Sequence, residues 1–383
     1  MSERESADLR SPSAPALLAC ADARSLAPGE DATAPATMML EPARQLYRRK
    51  LQEFLAIARR AERPLLTMHN DPDPDAMGAA VGLQHLLRQR LRKESAIAFS
   101  GIIGRAENKA MVQELGLELL QLSSLPLAQF DFIILVDAQP GAGNQPLPPE
   151  LKPHAVVDHH RLRPETQSCP FWDVRGNVGA TSTIVASYLR AAGVRLPPNV
   201  ATALFYGIKA DTLGLARGAG ADDVQAYIYL QRCLDAAKLA RIEGASVSPE
   251  YFRALDQALH RTSMLDGLVV ARLGEMRYPD MAAEVADMLR RLEGSKVVLA
   301  IGHYAGEVII SLRSSALDLA LDELLQKAIR TDGTAGGHGL MAAGRVPATL
   351  AGAADDTERE IVRRFAALLG VDVHRARPLL REE

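Results

Sequence analysis

The sequence is poor in residues that several classes of protein need. Aromatic residues make up 4% of the 383 residues, with a single Trp, which argues against a long stacking platform for single-stranded nucleic acid. The formal net charge of −3 provides no overall basic field, so the chain is not expected to coat long duplexes. A short anionic substrate held by a local cluster of residues fits this composition better.

Cysteine and long apolar runs are also scarce. The three cysteines, Cys20, Cys169 and Cys233, are odd in number and widely spaced, so they predict neither a disulfide framework nor a zinc pair. No uninterrupted apolar stretch reaches the ~20 residues that span a bilayer. We therefore expect a soluble protein in the reducing environment of the cytoplasm.

Seven residues that follow an apolar run carry the strongest chemical signal. The segment His69-Asn70-Asp71-Pro72-Asp73-Pro74-Asp75 combines one imidazole with three carboxylates. Oxygen and imidazole donors suit Mn²⁺ or Mg²⁺, and like charges this close repel each other unless cations lie among them. The alternative interpretation is an exposed acidic loop that joins a strand to a helix.

Three later segments carry similar side chains. Buried-strand patterns end at Asp137 and at Asp158-His159-His160, and the segment 206–210 leads into Asp211. In open parallel α/β sheets, ligands bind just beyond the carboxyl ends of the strands. We therefore expect these separate clusters to converge on one crevice.

With these motifs in order, the chain resembles the DHH phosphoesterases, and more narrowly their DHH/DHHA1 branch. That branch includes nanoRNase-type oligoribonucleases, some of which also remove the 3′-phosphate of phosphoadenosine phosphate. The resemblance covers roughly residues 60–346 and rests on six motifs: His69-x-x-x-Asp73-x-Asp75, Asp137, Asp158-His159-His160, Gly207-Ile208-x-x-Asp211-Thr212, Ser311-Leu312-Arg313-Ser314 and Gly336-Gly337-His338-x-x-Met341-Ala342-Ala343-Gly344.

The resemblance implies two divalent cations, with Mn²⁺ preferred and Mg²⁺ as the alternative. It implies that one ion is held by His69, Asp73 and Asp137, and the other by Asp75, Asp137, His159 and Asp211. Asp137 would bridge the two ions. Asp71 stands where related families commonly have Asn, and we expect it to be a solvent-facing cap and not a ligand.

The remaining site residues are expected to act on the substrate. Asp158 would orient an imidazole through its ring N–H, and His160 would stabilise the leaving oxygen or donate a proton to it. In the second domain, a glycine-rich turn would let backbone N–H groups approach a phosphate, and Arg313 would contact a phosphate oxygen. The expected substrate-binding residues are Arg313, Ser314, Gly336, Gly337 and His338.

Strand patterns that alternate with helical ones predict an α/β fold with a mainly parallel sheet. We expect a disordered tail over residues 1–40 and a metal-binding catalytic domain over 41–221. A helical connector would cover 222–265, and a smaller α/β substrate-binding domain 266–383. The active site would lie in the cleft between the two domains.

The resemblance favours a two-metal-ion phosphoesterase that hydrolyses short oligoribonucleotides. Alternatives within the family are a linear dinucleotide phosphodiesterase, a phosphoadenosine phosphate 3′-phosphatase and a RecJ-like single-strand exonuclease. A manganese pyrophosphatase shares the first-domain motifs but not the Gly-Gly-His segment. A catalytically silent nucleotide-binding protein is the alternative from a different class, and the sequence leaves a homodimer open.

Overall fold

The computed structural model describes residues 41–316, 319–338, 340–347 and 354–380. The tail predicted for residues 1–40 lies outside these ranges. Two sheets, both within the compact unit Met39–Glu383, organise the rest of the chain. This arrangement confirms the predicted α/β class.

The first sheet has six strands, all paired in parallel, in the order β3-β2-β1-β4-β5-β6. Its strands are β1 (Pro64–Met68), β2 (Ala96–Phe99), β3 (Leu120–Gln121), β4 (Phe132–Val136), β5 (Ala155–Asp158) and β6 (Phe171–Val174). The order reverses between β1 and β4, which pair directly. Such a switch point opens a crevice at the carboxyl ends of the two strands, where ligands bind in open α/β sheets.

α-Helices pack on one face of this sheet, and the segments 122–130 and 147–151 pack on the other, so β1 and β4 are buried at every position. The helices of this region are α1 (Glu41–Ala58), α2 (Pro74–Leu91), α3 (Ala106–Leu115), α4 (Thr181–Ala191) and α5 (Pro198–Thr212). Helices α2 and α5 approach closely because Gly78 has no side chain. A Cβ there would lie 2.5 Å from the Ala203 carbonyl oxygen. This close contact brings the first turn of α2 near the last turn of α5.

The segment 222–265, predicted to be a helical connector, is not helical throughout. It contains α6 (Ala221–Gln231), α7 (Ala236–Glu243) and α8 (Pro249–His260), and it ends in a strand, β7 (Thr262–Leu265). The side chains of Asp235 and Ser248 cap the N-termini of α7 and α8, so these are separate helices. Leu230 and Ile242 pack into the core of the first sheet, whereas Ala258 packs into that of the second.

In the part of the chain that the structure describes, the second sheet has seven strands in the order β11-β12-β10-β9-β8-β7-β13, and only β8 and β9 pair in parallel. Its further strands are β8 (Leu268–Glu275), β9 (Val297–Tyr304), β10 (Glu307–Ser314), β11 (Thr334–His338), β12 (Met341–Pro347) and β13 (Arg377–Pro378). Successive residues of β9 enter opposite cores, with Leu299 on one face and Val298 on the other. The covering helices are α9 (Met281–Leu289), α10 (Leu321–Ile329) and α11 (Ala354–Leu368).

Candidate metal centre

Three neighbouring strands of the first sheet deliver polar side chains to one edge. His69 follows β1, Asp137 follows β4, and His159 follows β5. The pairs Met68↔Val136 and Val136↔Val157 hold these strand ends side by side. The carboxyl-end cluster predicted from the sequence is therefore present in the fold.

A first group joins an imidazole to two carboxylates. His69 Nε2 lies 3.7 Å from Asp73 Oδ1 and 3.5 Å from Asp137 Oδ2. Asp73 is held in place because it caps α2, accepting a hydrogen bond from the Ala76 N–H at 2.9 Å. These three side chains each offer a ligand atom within 4.8 Å of the others, as a shared cation requires.

A second group combines Asp75, His159 and Asp211, again with ligand atoms within 4.8 Å of one another. His159 Nε2 lies 3.2 Å from Asp211 Oδ2 and 3.6 Å from Asp137 Oδ1. Asp211 does not follow a strand: it comes from the last turn of α5. That turn reaches Asp75 because Gly207 has no side chain, and a Cβ there would lie 3.0 Å from Asp75 Cα.

Asp137 stands between the two groups. Its Oδ2 faces His69, while its Oδ1 faces His159. The backbone at Asp137 has φ 54°, a left-handed conformation that Asp tolerates better than most residues and that is often found at functional sites. This geometry suits the shared ligand expected from the sequence, and the individual ligand assignments stay predictions.

The start of α4 supports both groups, which the sequence analysis did not foresee. The N–H groups of Thr181 and Ser182 donate to the two carboxylate oxygens of Asp75, at 2.6 and 2.8 Å. The Thr181 hydroxyl donates to Asp137 Oδ1 at 2.7 Å. A helix N-terminus favours negative charge, so it stabilises these buried carboxylates. The run Thr-Ser-Thr at 181–183, directly ahead of an apolar stretch, was the available signal in the sequence.

Asp158 belongs to a buried hydrogen-bonded network. Its Oδ1 lies 2.8 Å from His160 Nδ1, and its Oδ2 accepts from Gln139 Nε2 at 2.5 Å. Gln139 Oε1 in turn accepts hydrogen bonds from the Arg163 N–H and the Thr166 hydroxyl. These contacts orient the His160 ring beside Asp137, 3.8 Å away. The network is compatible with the predicted roles of Asp158 and His160 and does not test them.

Crowded charges shift the pKa values of the candidate ligands. Burial raises the pKa of Asp75 well above its ordinary value, and the charges of Asp137 and Asp211 raise it further. Burial lowers the pKa of His69 and of His159, but hydrogen bonds to their neighbouring carboxylates outweigh this and leave both values well above the ordinary one. A crowded set of carboxylates with imidazoles fits divalent cations, which would relieve this repulsion.

The predicted substrate-binding residues lie in the second sheet. Gly336, Gly337 and His338 form the end of β11, paired with Ala343, Ala342 and Met341 of β12. The expected turn is therefore a strand. A Cβ at Gly337 would lie 2.3 Å from the Met341 carbonyl oxygen, whereas one at Gly336 would meet nothing within 4 Å. The side chain of His338 and all of Gly339 lie outside the described residues.

Arg313 and Ser314 are buried and bonded within their own domain. Arg313 Nε donates to Asp287 Oδ1 at 2.5 Å, and Nη1 donates to the Ser311 hydroxyl at 2.9 Å. The Ser314 hydroxyl donates to the Lys296 carbonyl oxygen at 3.0 Å. Arg313 could reach a substrate phosphate only by competing with Asp287.

Asp71 corrects one expectation. It is not solvent-facing: its side chain is 8% exposed, and its Oδ1 accepts from the Ile102 N–H at 2.8 Å. Its other oxygen pairs with Arg345 of β12, in the second sheet. The loop that carries His69 and Asp73 is thus bound directly to the second sheet. The sequence distance of 274 residues concealed this ion pair.

Family models cover both parts of the molecule. The model described as the DHH family, N-terminal domain, matches residues 64–208, and that of the DHHA1 domain matches residues 266–369. The chain belongs to the DHH family. The resemblance inferred from the six motifs is therefore confirmed.

Two relatives are similar to this DHH protein over part of their sequences. An uncharacterized protein of Methanocaldococcus jannaschii is 36% identical over 298 residues, which is 77% of this chain and 60% of that protein. A probable manganese-dependent inorganic pyrophosphatase of Deinococcus radiodurans is 32% identical over 176 residues, covering 42% of this chain and 55% of its own length. The chain thus spans between half and two thirds of these relatives.

The crystal structure of an exopolyphosphatase-related protein from Bacteroides fragilis shares the fold. It has a TM-score of 0.65 and 14% sequence identity, and the match covers 84% of this chain and 96% of the other. Within the described ranges, no helix is both long and apolar enough to cross a membrane.

Proposed function

We propose that this DHH protein is a two-metal-ion phosphoesterase that hydrolyses short oligoribonucleotides. The observation that carries the proposal is the position of Asp137, whose two oxygens face the imidazoles of separate ligand groups. When bound, two divalent cations neutralise phosphoryl charge and lower the pKa of water, which is the chemistry that phosphoester hydrolysis needs. The manganese-dependent pyrophosphatase relative favours Mn²⁺ over Mg²⁺.

The protein's own residues have distinct tasks in this proposal. His69, Asp73 and Asp137 would hold one cation, and Asp75, Asp137, His159 and Asp211 the other. His160 would donate a proton to the leaving oxygen, and the bond to Asp158 at 2.8 Å would keep its ring oriented.

We assign metal binding and catalysis to residues 41–221 and substrate binding to 266–383, joined by the connector 222–265. The ion pair between Asp71 and Arg345 supports this division, since it holds the proposed substrate-binding domain against the loop 69–75, which carries proposed metal ligands. Short substrates fit such an arrangement, because one end is gripped close to the cleavage site. A cytoplasmic location and a homodimer stay predictions.

The test is hydrolysis of labelled substrates in Mn²⁺: a dinucleotide, a pentanucleotide, a long single strand, phosphoadenosine phosphate and pyrophosphate. We expect the two short oligoribonucleotides to be cleaved fastest. Preferred cleavage of pyrophosphate would instead support the activity of the Deinococcus relative. Binding without turnover of any substrate would support the silent nucleotide-binding protein and end the enzymatic proposal.

Asp137→Asn is the matched variant for this assay. It removes one charge from the shared position, and we expect turnover to fall below a tenth of the wild-type rate while the far-ultraviolet circular dichroism is kept. Asp256→Asn is the control, because Asp256 is 69% exposed on α8 and lies in neither ligand group. Retained activity in Asp137→Asn would refute the shared-ligand assignment.

A further inference from the structure

The amino ends of the first-sheet strands form the edge opposite the candidate metal centre. Residues 59–63 lead into β1, residues 88–95 lead into β2, and residues 129–131 lead into β4. Because β1 pairs in parallel with both β2 and β4, these three segments lie side by side. The candidate metal ligands that follow β1, β4 and β5 lie beyond the other ends of the strands, so this edge faces away from them.

Two of the three segments are strongly basic. Residues 59–63 read Arg-Arg-Ala-Glu-Arg, and residues 88–93 read Arg-Gln-Arg-Leu-Arg-Lys. All six of these arginines are exposed. A short run this rich in Arg and Lys is typical of surfaces that bind nucleic acid or another polyanion, and the fold places two such runs at one edge.

Contacts between the segments join these residues into one patch. The N–H groups of Glu62 and Arg63 donate to the Asp131 carboxylate at 2.7 and 2.9 Å. Burial raises the pKa of Asp131, but these hydrogen bonds and the charge of Lys93 outweigh it and lower the pKa. Lys93 of the second basic run therefore lies near the carboxylate that binds the first.

A further arginine extends the patch on its other side. His85, one turn before the end of α2, has its Nε2 3.0 Å from the carbonyl oxygen of Arg195, whose side chain is exposed. We call the surface formed by the cations of residues 59–63 and 88–93, together with Arg195, the basic edge.

Carboxylates compensate little of this charge. Residues 59–63, 88–95 and 129–131 hold seven cations and three carboxylates, in a chain whose net charge is −3. Within the described ranges, Glu94 is the one carboxylate that lies within 4.0 Å of a cationic group of the basic edge, 3.2 Å from Arg88 Nε. Clustered cations repel one another, so the basic edge favours an anion across it.

Stabilisation of helix ends explains part of the basic edge and leaves the rest. Cations near a helix C-terminus offset its dipole, and Arg88 and Arg90 lie in the last turn of α2. The last turn of α1 holds no basic residue, and Arg59, Arg60 and Arg63 come after it. These three arginines therefore need another explanation.

The composition of the basic edge favours nucleic acid over a protein partner. The centre of a protein interface is depleted of charged residues, whereas nucleic-acid interfaces are polar and positively charged. In the described part of the chain, none of the exposed large apolar side chains belongs to the basic edge. The two basic runs also contain no aromatic residue on which unpaired bases could stack. Guanidinium groups, whose fork matches phosphate oxygens, are what this surface offers.

We propose that the basic edge binds the phosphate backbone of double-helical RNA without regard to sequence. A duplex concentrates phosphate charge along its axis, and contacts to phosphate need no access to the bases. The choice of RNA over DNA rests on the proposed function, whose substrates are ribonucleotides. The bound duplex is not the substrate: it holds the enzyme on longer RNA, while the metal centre at the other edge stays free for short fragments.

The probe is a fluorescent RNA duplex of about 20 base pairs, and its binding to the full chain is measured by fluorescence anisotropy in EDTA. The NaCl concentration is varied from about 50 to 200 mM. We expect the logarithm of the binding constant to fall against the logarithm of the salt concentration with a slope of about −4, as neutralisation of roughly four to five phosphates predicts.

The test variant carries Arg59→Gln, Arg60→Gln and Arg90→Gln together. We expect its slope to be shallower by about 3 and its affinity at about 100 mM NaCl to fall at least tenfold. Lysine at the same three positions should keep most of the slope, because it keeps the charge, and this shows that the positions tolerate substitution. Dinucleotide hydrolysis by the glutamine variant should stay within about twofold of the wild-type rate, since none of the three residues lies near the candidate ligands.

The matched control carries Arg253→Gln, Arg291→Gln and Arg363→Gln. These arginines are also exposed, but they lie on or beside α8, α9 and α11, which belong to the second domain. The control loses the same number of positive charges and should keep the wild-type slope. Asp137→Asn should also bind the duplex as tightly as the wild type.

Any of four outcomes would overturn the inference. They are binding of the duplex that does not depend on salt, an unchanged slope in the Arg59, Arg60 and Arg90 variant, an equal loss in the control, and weaker binding in Asp137→Asn. A DNA duplex that binds more tightly than RNA would refute the choice of RNA, and tighter binding of polyglutamate would point to an acidic protein instead. Duplex binding is scored without Mn²⁺ or turnover, so failure of the proposed function is distinguishable from failure of this inference.

Discussion

Replacing Thr181 by Val tests whether α4 supports the metal centre. The change removes the hydroxyl that donates to Asp137 Oδ1 at 2.7 Å, while the backbone N–H that holds Asp75 stays in place. A hydrogen bond to a charged group contributes ~1.5–3 kcal/mol, and each 1.4 kcal/mol corresponds to about tenfold in affinity. Because the lost partner orients a ligand, we expect Mn²⁺ affinity to fall about 10- to 100-fold.

Thr183→Val is the matched control on the same helix. The Thr183 hydroxyl also donates to a buried carboxylate, at 2.5 Å, but that carboxylate is Asp223, which lies in neither ligand group. We expect this variant to have a lower free energy of unfolding and an unchanged Mn²⁺ affinity. Calorimetric titration with Mn²⁺, together with urea unfolding of both variants, separates the two effects. Equal Mn²⁺ affinity in Thr181→Val and the wild type would refute the reasoning.

Three further predictions test other parts of the molecule. Gly337→Ala should destabilise the second domain by ~1–3 kcal/mol in urea unfolding, because the added Cβ would meet backbone atoms of β12. Gly336→Ala should be nearly neutral, and equal effects of the two changes would contradict the strand pairing. Arg345→Gln should cost ~1–3 kcal/mol because it leaves the buried Asp71 carboxylate without its cation, and Glu307→Gln, which removes a partly exposed partner of Arg345, should cost below about 0.5 kcal/mol. Mn²⁺ binding should weaken as the pH falls, because the raised pKa values of His159 and Asp75 mean that protons compete with the metal. Calorimetry that shows no proton release on Mn²⁺ binding would contradict this competition.

The sign of the Asp75 effect in the metal-free protein follows from the same shift. Its pKa is raised in the folded chain, so between its ordinary and its raised pKa the native state binds more protons than the unfolded one. Stability from this group is therefore present below that window and falls as the pH rises through it. Bound Mn²⁺ should reverse the loss, by ~2.7 kcal/mol at a metal concentration of a hundred times its Kd.

Local patterns were sufficient for much of the fold. Continuous apolar runs predicted β1, β4 and β5, because strands buried on both faces need apolar side chains at every position. The pattern failed for β6, where Asp173 interrupts the apolar residues and is matched by Arg175 at 2.7 Å. It also failed for β11, since Gly336 and Gly337 suggest a turn unless the partner strand is known.

Most of the candidate ligand residues could be named from the sequence because they lie next to the end of a strand or the start of a helix. His69, Asp137 and His159 come directly after apolar strands, and parallel strands bring their carboxyl ends to one edge. The order of the motifs along the chain added the family and, with it, the two-metal chemistry. These inferences need no knowledge of how distant segments pack.

The supporting contacts needed the packed molecule. Thr181 meets Asp137 across 44 positions, Arg345 meets Asp71 across 274, and Arg217 reaches Met341 across 124. Hydrogen bonds and ion pairs act over a few ångströms in space, and nothing in the neighbouring sequence reveals which distant partner lies there. The candidate ligands are therefore readable along the chain, whereas their orientation and their link to the second sheet arise from how the two sheets come together.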